Sequence, residues 1–265
     1  MIVRSVPLAE LRAYLDCFLR IGEIADDPNA LNGLQVENRG AITALVAAVD
    51  ASLATIEGVC RRSASGPGTL LLVHHGLFWD GPQPLTGRRY QRVRSLLTQD
   101  AALYSAHLPL DLHPEVGNNA LLSRGLGLSE TTPFGNYKGV LIGLAGTAPS
   151  TLATPGEVVQ RLATLLGIDA SGIRLLRGGP ERVARVGLIT GAAGSAIGQA
   201  RAAGCDTFIS GEGPAHTYFD AMEWGVNVIY AGHYATETLG VRALAEHLGQ
   251  QFDLPWEFHD HPTGM

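Results

Sequence analysis

The chain has 265 residues, of which 46% are hydrophobic and only 6% aromatic, so its core must be mainly aliphatic, as in many α/β proteins. The formal net charge is −6 and both signs are spread along the sequence, which argues against nucleic acid or an anionic membrane as a partner. No apolar run reaches the length of a membrane span, and the N-terminal residues do not read as a signal peptide.

The cysteines indicate a reducing compartment. Cys17, Cys60 and Cys205 are odd in number, lie far apart and lack the CxxC spacing of metal and redox sites. We therefore expect buried thiols and a cytoplasmic protein.

The first half of the chain predicts a βαβ unit. After an amphipathic helix that begins near Pro7, the near-continuous apolar run 42–49 predicts a strand that is covered on both faces. A helix over 53–62 and a second buried strand over 69–73 follow, and that strand runs into His74-His75-Gly76. Open parallel sheets bind ligands at the carboxyl ends of their strands, so this histidine pair stands where a site is expected.

The same order of elements returns in the second half. It consists of a strand, a glycine-rich turn, a helix and a second strand, over residues 183–190, 191–195, 196–203 and 207–210. The two copies, 42–111 and 183–237, indicate an internal structural repeat. We predict an α/β fold of two similar α/β domains whose sheets are flanked by helices, with the first domain at residues 1–125 plus 238–265 and the second at 126–237.

The remaining segments complete these domains. Between the copies, 139–146 predicts a strand and 155–166 a helix with Thr154 as its cap. After the second copy, we expect a helix over 239–248 and a last strand over 252–258.

Each copy ends in nearly the same eight residues. Residues 104–111 and 230–237 both read Tyr, two small residues, His, three spacers and a carboxylate. A histidine that leaves a strand, with a carboxylate about one helical turn later, can direct both groups to one point. Either stretch alone could be a surface turn, but together they offer two imidazoles and two carboxylates, a set that suits a divalent transition metal.

The neighbours His74 and His75 extend this set. Adjacent residues of a strand point to opposite faces, so both can serve one site only if the strand ends there and the backbone turns, which Gly76 permits. The pair could instead be two hydrogen-bonded histidines at a strand end. With one carboxylate bridging two ions, the candidate metal ligands are His74, His75, Asp111, His233 and Glu237.

Other polar residues stand near these candidates. His107 is either a ligand or a group that holds Asp111 in place by a hydrogen bond. Glu212 and His216, four residues apart after the strand 207–210, could line the same pocket. No catalytic residue beyond the proposed ligands is identifiable.

Phosphate contacts could come from two places. Arg88, Arg89 and Arg92 follow the histidine pair and would contact phosphate if they fold toward the site. The turn Gly191–Ser195 lacks the lysine of a P-loop, so an ordinary tight turn is expected there. The remaining histidines, His113, His247, His259 and His261, are expected at the surface.

With these residues in view, the chain resembles the family of NGG-one-interacting factor three (Nif-three-like proteins), whose bacterial members are often labelled GTP cyclohydrolase 1 type 2 homologues. The resemblance is spread over nearly the whole chain, in the stretches 32–36, 73–79, 106–111 with 117–119, 211–212 and 231–237. It implies two similar α/β domains, a toroidal hexamer and a dinuclear metal site facing its interior. Carried over by position, the ligands would be the five candidates above, with Glu237 as the bridge.

Three functions remain open at this point, of which the third, a scaffold or regulatory partner, would not need five ligands. The first is a metal-dependent hydrolase that acts on a nucleotide or phosphoester with two divalent ions, which could be Zn, Mn, Fe or Ni. The alternative is a non-enzymatic metal-handling or metal-delivery protein, since the sequence shows no convincing nucleotide cradle.

Overall fold

The computed structural model of the chain describes residues 4–62 and 68–264. They divide into two compact units: unit 1 comprises Met1–Leu110 and Gly240–His261, and unit 2 comprises Asp111–Leu239 and Pro262–Met265. The domain boundaries predicted from the sequence stay predictions. Within the described residues, no helix combines the length and apolar character needed to cross a bilayer.

The strands of the described residues are, in chain order, β1 Val6–Pro7, β2 Gly33–Val36, β3 Ala41–Ile42, β4 Ala44–Asp50, β5 Thr69–His75, β6 Ala102–Ser105, β7 Ser129–Tyr137, β8 Val140–Thr147, β9 Arg174–Arg177, β10 Arg185–Ile189, β11 Thr207–Ser210, β12 Asn227–Tyr230 and β13 Trp256–Phe258. The α-helices are α1 Leu8–Phe18, α2 Leu53–Arg62, α3 Gly87–Thr98, α4 Leu108–Asp111, α5 Asn118–Leu126, α6 Pro155–Leu166, α7 Ile197–Ala202, α8 Thr217–Trp224, α9 His233–Thr236 and α10 Thr238–Phe252. Short 3₁₀ turns cover Ser150–Leu152, Ala170–Gly172 and Gly194–Ala196.

Unit 1 contains a five-stranded sheet of order β13-β4-β5-β6-β2. Strands β4, β5 and β6 are parallel, β13 joins β4 in parallel, and β2 runs antiparallel to β6. The first six residues of β4 and of β5 are all buried, as expected for strands covered on both faces. Helices α2 and α3 make the crossovers, so the carboxyl ends of β4, β5 and β6 share one edge.

Unit 2 repeats this arrangement in a six-stranded sheet of order β7-β8-β10-β11-β12-β9. Strands β10, β11 and β12 are parallel and are connected by α7 and α8, while β8 and β9 pair antiparallel at either side. The series β10-α7-β11-α8-β12 matches β4-α2-β5-α3-β6, and in both units an antiparallel strand lies beyond the third parallel one. The predicted α/β fold of two similar parts with helix-flanked sheets is confirmed.

Several predicted elements have the bounds that the sequence indicated, among them α2, α6 and β11. Helix α6 begins with the predicted cap, because the Thr154 hydroxyl accepts the Glu157 N–H at 3.3 Å and the Glu157 carboxylate accepts the Thr154 N–H at 2.9 Å. The predicted bounds of the last helix, 239–248, and of the last strand, 252–258, were wrong. Helix α10 continues to Phe252 because Leu248 and Phe252 both stay buried, and the chain turns at Asp253, whose φ is 53°.

Three surface or burial expectations are corrected by the structure. Cys17 is exposed on α1, whereas Cys205 is buried as predicted, and the side chain of Cys60 lies outside the described part. His113 is buried because its Nδ1 accepts the N–H groups of Glu115 and Val116, both at 3.2 Å. His259 is buried because its ring packs against Gly58, where a Cβ would overlap it, and its backbone N–H donates to the Ala47 carbonyl at 2.8 Å.

The cap of α6 generates a stability prediction. Thr154→Ala removes the side-chain acceptor and should lower the free energy of unfolding by about 1 kcal/mol in urea denaturation. Thr164→Ala is the matched control, because that exposed hydroxyl bonds only within the same helix, to Gln160 at 3.0 Å. Equal losses in the two variants would contradict the capping role.

Candidate metal centre

Unit 1 gathers three histidines at the carboxyl edge of its sheet. His74 and His75 end β5, and His107 follows β6, the next parallel strand. The ring centroids are 4.8 Å apart for His74 and His75, 4.9 Å for His74 and His107, and 5.7 Å for His75 and His107. One nitrogen of each ring lies within 4.8 Å of those of the others, so the group could hold a metal ion.

The two adjacent histidines reach one cluster because β5 ends with them. Gly76 contributes in another way than the predicted turn, since its backbone is not in the left-handed region. A Cβ at Gly76 would overlap the side-chain amide of Gln35. That amide accepts the Leu77 N–H at 2.8 Å and donates to the carbonyls of Ala30 and Leu31, so it fixes the chain just after the histidine pair.

Each ring of this cluster has an acceptor at Nδ1. His74 Nδ1 donates to the Ala106 carbonyl at 2.9 Å, His75 Nδ1 to Asp50 Oδ1 at 2.8 Å, and His107 Nδ1 to Asp26 Oδ1 at 3.0 Å. Carbonyls and carboxylates only accept, so the neutral ring keeps its proton on Nδ1 and its lone pair on Nε2. Histidines that bind metals show this pattern, and the donor set therefore fits a divalent ion.

Asp26 fixes His107 most firmly. Its side chain is only 5% exposed and also accepts N–H groups from Leu108 at 3.0 Å and from Asn32 at 2.8 Å. Burial alone would raise the pKa of Asp26, but the hydrogen bond and charge of His107, together with the hydrogen bonds from Asn32 and the Asp27 amide, hold that pKa below its ordinary value. Asp26 is thus a carboxylate acceptor for the ring at neutral pH.

In unit 2, Asp111 is buried and held by neutral donors. Its Oδ1 accepts from Asn118 Nδ2 at 2.8 Å and from the Thr190 hydroxyl at 3.3 Å. Asn119 supports the same place, because its amide oxygen accepts the Thr190 N–H at 3.0 Å. The structure thus surrounds Asp111 with an amide and a hydroxyl, while the Nδ1 of His107 is engaged by Asp26.

His233 and Glu237 form a pair at the carboxyl edge of the unit 2 sheet. His233 follows β12 and opens the short helix α9, and its Nε2 lies 3.2 Å from Glu237 Oε2. Its Nδ1 donates to Glu212 Oε1 at 2.8 Å, so the fourth histidine repeats the pattern of unit 1. His216, the other predicted pocket residue, is exposed before α8 and bonds through its carbonyl oxygen to Phe219 and Asp220.

Two carboxylates determine the charge of His233. Burial lowers the pKa of His233, but the hydrogen bonds and charges of Glu237 and Glu212 outweigh burial and raise that pKa from 6.5 to about 9. Glu237 itself is only 2% exposed. Gly191 leaves room for it: a Cβ there would overlap Glu237 Oε1, and the φ of 69° also favours glycine.

The described arginines differ in their surroundings. Arg89 is buried, paired with Asp80 and bonded to the carbonyls of Gly81 and Gln83 at 2.8 and 3.2 Å. The side chain of Arg88 is 70% exposed, and its Nη2 lies 3.4 Å from Oδ2 of the same Asp80. Arg89 is therefore occupied by a structural role and is not available for phosphate.

Comparison with known proteins identifies the family. The model of the family described as Duf34/NIF3 (NGG1p interacting factor 3) matches residues 7–263. This chain belongs to the NIF3 family. A relative from Deinococcus radiodurans named GTP cyclohydrolase 1 type 2 homolog is 46% identical over 258 residues, which cover 97% of this chain and 94% of the relative.

Solved structures of NIF3-like fold extend over the whole chain. The crystal structure of TTHA1606 from Thermus thermophilus is 40% identical, has a TM-score of 0.84 and covers 98% of this chain and 100% of its own. The protein ybgI, described as of unknown function, is 36% identical with a TM-score of 0.85 and the same coverage. The family and the fold implied by the resemblance are thus confirmed.

The raised pKa of His233 predicts how the metal-free NIF3-family chain responds to pH. A histidine whose pKa is higher in the folded chain than in the unfolded chain stabilises the fold. This stabilisation is complete below pH 6.5 and is lost as the pH rises through about 9. The difference in unfolding free energy between wild type and His233→Gln should therefore shrink between about pH 6 and about pH 10 in urea titrations. His216→Gln, at an exposed residue, controls for the loss of an imidazole elsewhere. A constant difference for His233→Gln would contradict the assigned charge.

Proposed function

We propose that this NIF3-family protein binds two divalent metal ions and uses them to hydrolyse a phosphoester or nucleotide. The proposed ligands are His74, His75, Asp111, His233 and Glu237. One observation carries the proposal: all three of the histidines in this set, and His107 as well, have Nδ1 bonded to a carbonyl or carboxylate. Such bonds orient a ring toward a metal and raise its basicity as a ligand.

The chemistry of the donors supports a transition metal of intermediate softness. The set contains imidazole nitrogens and carboxylate oxygens without a thiolate, which suits Zn, Mn, Fe or Ni. When bound, such a pair of ions activates water and polarises phosphoryl oxygens. The name of the Deinococcus radiodurans relative, GTP cyclohydrolase 1 type 2 homolog, agrees with a nucleotide as substrate.

The chain's own residues have separate tasks in this proposal. Asp50, Asp26 and Glu212 orient the rings of His75, His107 and His233. Glu237 is proposed as the bridge between the ions, and its burial keeps its carboxylate fixed. His107, whose ring belongs to the cluster of His74 and His75, is proposed as an additional nitrogen donor.

Oligomer size is a further part of the proposal. On the basis of the family resemblance, we propose a homohexamer in the cytoplasm, assembled as a ring. Light scattering on the purified protein with metal present should give a mass of six chains. A monomer at micromolar concentration would contradict the ring.

Metal content tests the ligand assignment. The purified protein should hold about two divalent ions per chain by elemental analysis. Glu237→Ala should lose more metal than His107→Ala, because a bridging carboxylate serves both ions. Equal loss would remove the bridge from the proposal, and unchanged content in Glu237→Ala would remove Glu237 from the site.

Turnover tests the enzymatic part. The protein loaded with Zn, Mn, Fe or Ni should hydrolyse at least one member of a panel of nucleotides and phosphoesters, and His74→Ala should abolish this activity. His261→Ala, at an exposed residue, is the control. Full metal content without turnover in any loaded form would favour the metal-delivery alternative.

A further inference from the structure

The loop 76–86, which joins β5 to α3, carries an aromatic side chain against the histidine cluster of unit 1. The centroid of the Trp79 ring lies 4.7 Å from that of His107 and 5.7 Å from that of His75. The interplanar angles are 79° and 81°, the edge-to-face arrangement that aromatic pairs favour. Within the cluster, His75 and His107 are the two histidines whose rings lie furthest apart. Trp79 therefore contacts both members of the widest pair.

The hydrogen bonds of these two histidines each fix only one ring atom. His75 donates from Nδ1 to Asp50, and His107 donates from Nδ1 to Asp26. The torsion about the Cβ–Cγ bond of histidine is soft, so a ring that is held at Nδ1 alone can still tilt and displace its Nε2. The edge-to-face contact with Trp79 restrains the plane of each ring. The direction of each Nε2 thus depends on the tryptophan as well as on the carboxylate.

The polar atom of Trp79 does not account for its place in the fold. Within residues 4–62 and 68–264, its Nε1 is buried and has no hydrogen-bond partner. Buried indole N–H groups normally have a partner, and leaving one unpaired costs free energy. The contacts that Trp79 makes with the cluster are those of its ring.

Arg89, in the first turn of α3, holds the loop on both sides of Trp79. Its guanidinium pairs with the carboxylate of Asp80 and donates to two carbonyls further along the loop, at 2.8 and 3.2 Å. The guanidinium carbon also lies 5.6 Å from the ring centroid of Phe78, which is a cation–π contact. The Arg89 side chain is only 8% exposed, so these contacts are shielded from solvent. The residues before and after Trp79 are therefore tied to one buried side chain of a helix.

We propose that Trp79 and Arg89 are positioning residues of the candidate metal centre. Trp79 holds the rings of His75 and His107 so that their Nε2 atoms converge on one ion, and Arg89 holds Trp79 through the loop. Neither residue is assigned as a ligand. The effect on metal affinity rests on the proposed function, whereas the effect on the two rings belongs to the metal-free protein.

Cobalt binding tests the role of Trp79. Co²⁺ titrated into the full-length, chelator-treated protein should bind Trp79→Ala about tenfold more weakly than wild type, as is typical when a group that orients a metal ligand is lost. The d–d absorption spectrum, which reports coordination geometry, should change in the same variant. Trp79→Phe keeps an aromatic ring without the N–H, so its affinity should lie nearer to wild type. Trp256→Ala, at an exposed tryptophan of unit 1, is the matched control and should change neither readout.

A double-mutant cycle tests whether Arg89 acts through Trp79. Arg89→Gln should weaken Co²⁺ binding, and Arg88→Gln is its matched control, because Arg88 faces the same Asp80 but is 70% exposed. In the Trp79→Ala background, Arg89→Gln should cause no further loss, since the side chain that it positions is already absent. Additive losses would remove Arg89 from the proposal.

Crystal structures of the metal-free protein test the inference without any ion. In Trp79→Ala, the rings of His75 and His107 should leave their wild-type planes or occupy several orientations. His233 lies in unit 2 and should keep its plane, so it serves as the internal control. If Trp79→Ala does not fold, as judged by circular dichroism, Trp79→Leu takes its place in all measurements, because it keeps a large apolar side chain and lacks the aromatic ring.

The outcomes separate this inference from the proposed function. Unchanged ring planes or unchanged Co²⁺ affinity in the folded variant would overturn the positioning role even if two metal ions bind. A loss in Trp79→Phe equal to that in Trp79→Ala would overturn the assignment to the ring. A wild type that takes up no Co²⁺ would refute the proposed metal centre, and the metal-free crystal structures would still decide whether Trp79 orients the two rings.

Discussion

Four hydrogen bonds from histidine Nδ1 atoms fix the orientation of the imidazole rings on which the proposed metal centre depends. In a neutral ring, each of these bonds keeps the proton on Nδ1, toward Asp50, Asp26, Glu212 or the Ala106 carbonyl, and leaves the lone pair on Nε2. His233, whose pKa is raised to about 9 in the metal-free chain, must release its second proton before Nε2 can bind a metal. Without these acceptors the imidazoles could rotate or change tautomer, and the entropy lost on fixing them would oppose metal binding. The histidine clusters are therefore orientated before a ligand arrives, which is the main requirement of a functional site.

The fold places the histidines at the carboxyl edge of the parallel strands in both units. Within each unit, the parallel strands end at a common edge, and the histidines lie at that edge: His74 and His75 as the last residues of β5, His107 after β6, and His233 after β12. Glycines at the same edges allow side chains to approach the backbone closely, Gln35 at Gly76 and Glu237 at Gly191. The repeated topology thus explains why the eight-residue motif occurs twice after equivalent strands, although the partners of its side chains differ: His233 contacts Glu237, whereas His107 contacts Asp26.

The sequence predicted the histidines at the strand ends and named Glu212 as a pocket residue, but it missed Asp26 and Asp50 as acceptors of histidine rings. The strand ends and the histidines could be predicted because apolar runs mark buried strands and the His-x-x-x-acid motif repeats. Asp26 was missed because it lies 81 residues before His107, in a loop without periodicity. Asp50 could be predicted only as the end of a strand, since nothing local shows that His75, 25 residues later, donates to it. The buried His113 was missed for a related reason, because its burial depends on a turn formed by its own neighbours.

Anomalous diffraction at the zinc edge, from crystals grown with zinc, tests the central claim most directly. The account predicts two zinc peaks with Nε2 of His74, His75 and His233 at about 2.0–2.1 Å from the metal. The hydrogen bonds of Nδ1 to Ala106, Asp50 and Glu212 should be kept. Coordination through any of these Nδ1 atoms, or zinc bound only away from these histidines, would contradict it.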